Sequence, residues 1–72
     1  MLYKNEEGKT CYVWLWKSGG FNTMFSDNID SLQNDIAIEF PEMVQNVKFS
    51  TIRPITKSEY DRLHSNMLFV WQ

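Results

Sequence analysis

Apolar and polar positions alternate most clearly in the first third of the chain. Residues 10–17 read Thr-Cys-Tyr-Val-Trp-Leu-Trp-Lys, and residues 21–25 form a second run of similar character. β-Branched and aromatic residues at this spacing are typical of strands. The two runs flank Gly19-Gly20, a pair that takes positive φ angles without steric cost. The pattern predicts a β-hairpin in which the two glycines form the turn.

A two-residue turn fixes which side chains share a face of the hairpin, because the side-chain period of a strand is two. It places Trp16 opposite Thr23 and Trp14 opposite Phe25, which gives two apolar faces. The aromatic face then holds Tyr12, Trp14, Trp16, Phe21 and Phe25, and the other face holds Cys11, Val13, Leu15 and Met24. A small domain covers one face of a sheet more readily than two. We therefore expect either that the C-terminal segment covers the aromatic face or that this face is an exposed binding patch.

Helical spacing begins after Ser26-Asp27-Asn28, whose side chains are typical helix N-caps, and Pro41 ends it. The apolar stripe consists of Ile29, Leu32, Ile36 and Phe40. We expect this stripe to cover the face that contains Cys11 and Val13. The helix then leaves the apolar face of Trp14 and Trp16 uncovered. Ile38 lies on the polar side of the helical wheel, where only a fraying end or an interface accounts for it.

Strand character returns in residues 44–52, and Pro54 marks the end or the edge of that strand. Residues 56–59, Thr-Lys-Ser-Glu, form a capping-box pattern that predicts a short second helix. The apolar run 67–71 is compatible with a further helical turn or a fourth strand, and its Phe, Val and Trp favour the strand. The predicted fold is α+β: a hairpin, a helix, a third strand, a short second helix and a possible C-terminal strand. The sheet is small and antiparallel, with a helix packed on one face.

Length and composition narrow the class of protein. The 72 residues provide one domain, and 43% of them are hydrophobic, so we expect the chain to fold. A single cysteine, Cys11, cannot form an internal disulfide, and no basic and apolar leader follows Met1. The longest apolar run is too short to cross a bilayer. These features predict a cytoplasmic protein with no membrane association.

Charge is distributed unevenly along the chain. The net charge is −2, yet no Lys or Arg occurs in residues 18–47. The acidic side chains of this block are Asp27, Asp30, Asp35, Glu39 and Glu42. Such a block is either a solvated helix face or a surface that attracts a basic partner, and it disfavours nucleic acid.

Candidate chemistry for catalysis is sparse. Cys11 and His64 are the only thiol and imidazole, and one of each does not complete a metal site. Asp27 and Asp30 precede an apolar helical run, where helix capping explains them better than acid–base chemistry. The sequence therefore predicts neither an enzyme, nor a metal site, nor a cofactor.

The aromatic content favours binding instead, because Trp, Tyr and Arg are enriched at the centres of interfaces. We take Trp14, Trp16 and Arg53 as candidate anchors beside the acidic positions Asp30, Asp35 and Glu39. The expected partner is a larger protein with a basic surface or channel. One alternative is a single-stranded nucleic-acid binder that stacks bases on the two tryptophans. Another is a homodimer in which the aromatic face pairs with itself.

Two segments resemble a known family. Residues 25–32, Phe-Ser-Asp-Asn-Ile-Asp-Ser-Leu, and residues 48–54, Lys-Phe-Ser-Thr-Ile-Arg-Pro, resemble the small gene-2 protein of podovirus-type bacteriophages. Proteins of that family are hairpin–helix–strand domains that inhibit bacterial RNA polymerase. The resemblance covers residues 10–55. It implies a phage-encoded inhibitor in the host cytoplasm that docks with an acidic helix and with Arg53. The implied target is a host protein such as RNA polymerase or another nucleic-acid-processing or defence complex. Thr51 stands where the family has a second arginine, and the second helix lies outside the pattern.

Overall fold

The order of helices and strands follows the predicted α+β arrangement. The computed structural model describes residues 1–65, and the predicted C-terminal strand at 67–71 lies outside that range. Residues 44–46, predicted as strand, form a 3₁₀ turn instead. The elements are β1 (Thr10–Trp16), β2 (Phe21–Ser26), α1 (Ile29–Glu39), the 3₁₀ turn (Val44–Asn46), β3 (Val47–Pro54) and α2 (Lys57–Ser65).

The three strands form one antiparallel sheet in the order β2-β1-β3. Since β1 is central, its alternating side chains supply the core on both faces. On one face Trp14 packs with Leu32 and Ile36 of α1, and on the other Val13 packs with Leu63 of α2. The two helices therefore cover opposite faces of the sheet, which we call the α1 face and the α2 face.

The turn of the hairpin is longer than predicted. Residues 17–20 all lie between the strands, and Leu15 pairs with Phe21 while Trp14 pairs with Asn22. The Trp16 N–H donates to the Gly20 carbonyl at 3.1 Å, and the Gly19 N–H donates to the Trp16 carbonyl at 3.1 Å. Both glycines have positive φ, of 108° and 82°. The predicted two-residue turn is wrong because both positive-φ positions belong to the second half of a four-residue loop.

This register also corrects the predicted faces. Trp14 pairs with residue 22 rather than residue 25, a shift of three positions, and an odd shift moves every β2 side chain to the opposite face. Phe21 and Phe25 consequently pack on the α2 face, whereas Met24 packs beside the tryptophans on the α1 face. The helix expected on the face of Cys11 covers the face of Trp14 instead.

A bulge interrupts β3 opposite the middle of β1. Arg53 pairs with Val13 and Lys48 pairs with Leu15, so residues 49–52 stand opposite Trp14 alone. The Thr51 hydroxyl fills the gap in the ladder: it accepts from the Leu15 N–H at 2.9 Å and donates to the Lys48 carbonyl at 2.6 Å. At the position where the resemblance places an arginine, the chain thus has a threonine that stabilises its own bulge.

Candidate functional site

The two tryptophans proposed as anchors belong to the core. Trp14 is fully buried and Trp16 is 8% exposed, beneath Leu32 and Ile36 of α1. Their rings meet edge to face at 5.5 Å, and Trp16 meets Phe40 in the same way at 5.6 Å. Neither ring presents a face on which a base or a partner could stack. The sequence placed α1 on the wrong face, and the surplus aromatic patch disappears with that correction.

Burial of Trp14 leaves one polar atom without a partner. Its indole N–H is inaccessible to solvent and has no hydrogen-bond partner among residues 1–65. An unpaired buried donor costs about 1–3 kcal/mol relative to a paired one. Packing of the ring therefore stabilises the buried position of Trp14, whereas burial of its unpaired N–H is unfavourable.

The thiol and the imidazole differ sharply in environment. Cys11 is fully buried on the α2 face, and burial raises the pKa of its thiol to about 11. A thiol with that pKa is protonated at neutral pH, and the thiol form is a poor nucleophile. His64 is exposed on α2, where its ring lies 4.3 Å from the ring of Tyr60. Within residues 1–65, no three His, Cys, Asp or Glu side chains converge as metal ligands would.

The acidic candidates lie together on α1 but have different environments. Asn28 caps the helix by accepting the Ser31 N–H at 2.8 Å. Asp30, in the first turn, and Glu39, the last residue of the helix, are both exposed. Asp35 is half-buried and accepts a hydrogen bond of 2.8 Å from the buried hydroxyl of Ser26 at the end of β2. Asp35 therefore fastens α1 to the sheet, and Asp30 and Glu39 remain directed toward solvent.

An apolar side chain stands on the solvent side of this acidic helix. Ile38 is 74% exposed, the most exposed large hydrophobic side chain within elements β1 to α2. It follows Asp30 and Asn34 at intervals of four residues, which places the three on one stripe of α1. The helical wheel had already separated Ile38 from the buried stripe of Leu32 and Ile36. The structure assigns it to the surface of the acidic helix.

Arg53 lies on the other side of the sheet. It pairs with Val13, a residue of the α2 face, and its guanidinium donates to the Glu59 carboxylate at 2.8 Å. The same carboxylate accepts the Thr56 N–H at 3.0 Å, and the Thr56 hydroxyl accepts the Glu59 N–H at 3.1 Å. The predicted capping box is confirmed, and the Thr56 N–H and then the Arg53 guanidinium lower the pKa of Glu59. The six candidate residues therefore do not form one site.

A second cluster, which sequence reasoning missed, occupies the rim of the α2 face. The Tyr3 ring lies 5.1 Å from Phe25 and 5.0 Å from Tyr60, and all three are partly exposed. The Lys57 ammonium stands 5.2 Å from the Tyr3 ring centre and, with Lys4, lines an open groove beside it. Tyr3 and Tyr60 are far apart in sequence, so no local pattern could have united them. The rim combines aromatic rings with the Lys57 ammonium, which is paired with the Asp61 carboxylate at 2.6 Å. In contrast, α1 carries three acidic residues and no Lys or Arg.

The chain matches no protein-family model, no curated protein and no solved structure at a significant level. Neither helix within residues 1–65 has the length and apolarity needed to cross a membrane.

Proposed function

We propose that this chain is a small, non-enzymatic binding protein that docks on a basic surface of a larger protein through the outer side of α1. The observation that carries the proposal is the exposed stripe of Asp30, Asn34 and Ile38, in which a 74%-exposed isoleucine lies about two helical turns from the Asp30 carboxylate. Interfaces combine an apolar centre with a polar rim. This stripe offers both within two turns of one helix.

Electrostatics supports the same surface. The segment 18–47, which contains α1, carries five acidic residues and no Lys or Arg. A surface of one sign attracts a partner of the opposite sign during diffusion and accelerates association at low ionic strength. Because Ser26 holds Asp35 against the sheet, the helix presents its remaining charges from a fixed position.

The resemblance adds a class of partner to this surface. It implies a phage-encoded inhibitor that binds host RNA polymerase in the bacterial cytoplasm by steric or allosteric blockade. Hairpin, helix and third strand are arranged in the order that the resemblance implies. Arg53 lies on the α2 face and is held by Glu59, so we assign primary docking to α1 and keep Arg53 as a separate contact for a partner that also reaches β3.

The test is binding of the full chain to purified bacterial RNA polymerase, compared with a double charge reversal on α1. Asp30→Lys with Glu39→Lys changes both exposed ends of the helix, and the two effects on the helix dipole oppose each other. We expect this variant to bind about tenfold more weakly or worse, and we expect wild-type association to slow as salt increases.

The matched control is Glu6→Lys with Glu7→Lys, which makes the same change in net charge at an exposed turn outside α1. If both double variants lose the same affinity, the α1 surface is not the docking site. If the wild-type chain does not bind the polymerase at about 10 μM, a concentration that reveals micromolar complexes, RNA polymerase is not the partner.

A further inference from the structure

The two edges of the sheet differ in their protection against pairing with another strand. β3 contains Lys48, Arg53, Pro54 and a bulge, which are features that block an edge. β2 has no charged residue, no proline and no bulge, and all six of its residues pair with β1 in a continuous register. Of the two edges that residues 1–65 form, only that of β2 retains the form of a regular, neutral strand.

The alternation of hydrogen bonds along β2 shows which of its backbone groups point away from β1. In an antiparallel pair, alternate residues bond to the same neighbour, and the bond from the Trp16 N–H to the Gly20 carbonyl sets that alternation. Even-numbered residues of β2 therefore bond to β1, and Phe21, Thr23 and Phe25 direct their backbone groups away from β1. The Thr23 N–H is capped by the Asn22 side-chain oxygen at 2.8 Å. Among the described residues, the other outward groups have no hydrogen-bond partner.

We propose that β2 pairs, antiparallel, with β2 of a second copy of this chain. A two-fold axis through Thr23 sets Thr23 opposite itself and Phe21 opposite Phe25 of the other copy. Phe21 and Phe25 are both partly exposed on the α2 face, so the pairing forms two cross-strand aromatic pairs on one side of the sheet. The Asn22 side chain releases the Thr23 N–H as the second strand arrives.

The strand favours its own copy over a partner of another kind because it is self-complementary. No charge is set against a like charge within the paired residues, and the aromatic residues flank the axis symmetrically. A chain of 72 residues also gains stability from association, since small domains bury a limited core. The paired region is short, so we expect a weak dimer rather than an obligate one.

The pairing has a geometric consequence for the acidic helices. The axis of an antiparallel strand pair is perpendicular to the sheet, so the two copies form a six-stranded sheet, β3-β1-β2-β2-β1-β3. Both α1 helices then lie on the same face. Repulsion between the two acidic helices opposes association, and added salt should strengthen the dimer. This inference does not depend on the proposed partner, because it concerns only copies of the chain.

Sedimentation equilibrium of the full chain, from about 10 μM to about 1 mM, tests the proposal. The expected mass rises from 8.6 kDa toward about 17 kDa, twice the mass of one chain. A mass that stays at 8.6 kDa over the whole range overturns the proposal.

A charge-swap experiment locates the interface. Thr23→Lys and Thr23→Glu each set like charges opposite one another across the axis, so we expect each variant alone to be monomeric. An equimolar mixture should recover the dimer mass, because Lys then faces Glu. Ser50→Lys and Ser50→Glu, at an exposed position of β3, are the matched controls and should dimerise like the wild type. Far-ultraviolet circular dichroism verifies that each variant is folded. Full dimerisation of the single Thr23 variants, or a mixture that remains monomeric, contradicts pairing through β2.

Discussion

The α1 face and the α2 face are built from alternate residues of the same strand but are closed differently. On the α1 face, Trp14 and Trp16 lie wholly or almost wholly beneath an eleven-residue helix. On the α2 face, the smaller Cys11 and Val13 lie beneath a nine-residue helix, and a rim of aromatic rings remains partly exposed. The helix α1 carries three acidic residues and no Lys or Arg, whereas Lys57 stands over the rim of the α2 face.

The difference shows where this short chain places its large and its remaining apolar side chains. Large rings are buried in the centre of the sheet, where a helix with two inward residues, Leu32 and Ile36, covers them. The exposed apolar positions are isolated side chains such as Ile38 and Phe49. Of these side chains, Ile38 is the more exposed and stands on a helix without basic residues, which makes it a better candidate anchor than the buried tryptophans.

The largest effect that we predict is on the α1 face. Trp14→Ala removes a fully buried ring and should lower the free energy of unfolding by about 3–5 kcal/mol. A domain of this length has about 4–11 kcal/mol in total, so this variant approaches complete unfolding. Urea denaturation provides the measurement. Trp14→Phe is the control: it keeps most of the ring and removes the unpaired N–H, so its cost should be much smaller. Equal costs for both variants contradict the assignment of Trp14 to a packed core.

On the α2 face the corresponding change is Leu63→Ala. Leu63 is 3% exposed and packs with Cys11, Val13 and Ile55. We expect a loss of about 2–3 kcal/mol, at the low end for a buried leucine, because α2 is a short helix whose surroundings can relax around the cavity. Ile38→Ala, at an exposed position of the other helix, should change stability by less than about 0.5 kcal/mol. If Leu63→Ala is as harmless as Ile38→Ala in urea denaturation, α2 does not pack on the sheet as described.

The two helix caps provide a closer comparison of the faces. Asn28 caps α1 and Thr56 caps α2, each through a side-chain oxygen that accepts a backbone N–H three residues later. Asn28→Ala and Thr56→Ala should each cost about 1 kcal/mol, because each leaves one backbone donor unpaired. Thermal unfolding followed by circular dichroism measures both. A Thr56→Ala variant as stable as the wild type would mean that the capping box does not hold α2.

The smallest effect concerns pH and is confined to the α2 face. Hydrogen bonds from the Thr56 N–H and the Arg53 guanidinium lower the pKa of Glu59 from its ordinary value of 4.5. Its contribution to stability is therefore complete above about pH 4.5 and is lost as the pH falls through the lowered folded-state pKa. Glu59 is partly exposed, so water weakens the contribution. The difference in stability between wild type and Glu59→Gln should be present at pH 7 and should shrink below pH 4.5. A difference that is independent of pH contradicts this origin.

Elements set by local chemistry could be predicted from sequence. Asn28 and the Thr56–Glu59 capping box act within one helical turn, and their predicted roles match the structure. The register of the hairpin could not be predicted, because Gly19 and Gly20 have positive φ in turns of two residues and of four residues alike. One wrong turn length exchanged Phe25 for Met24 on the tryptophan face.

For the candidate site too, features set by local spacing could be predicted and features set by long-range contacts could not. That Asp30 and Glu39 share one helix follows from their spacing, and Ile38 already stood apart on the helical wheel. The burial of Trp14 and Trp16 and the position of Arg53 on the opposite face depend on which helix covers which face. Contacts between strands and helices that are far apart in the chain determine which helix covers which face. The spacing of residues along the sequence does not indicate these contacts.

The central claim is that the outer side of α1 docks on the partner, and Ile38→Ala tests it most directly. Because Ile38 is 74% exposed, the substitution leaves the fold intact, so a change in affinity reports on the interface alone. Titration calorimetry with bacterial RNA polymerase should give at least about tenfold weaker binding for Ile38→Ala, as for an apolar anchor at an interface centre. Phe49→Ala, at a 46%-exposed position on β3, is the control and should bind like the wild type. An unchanged affinity for Ile38→Ala, or a loss with Phe49→Ala alone, would contradict docking through α1.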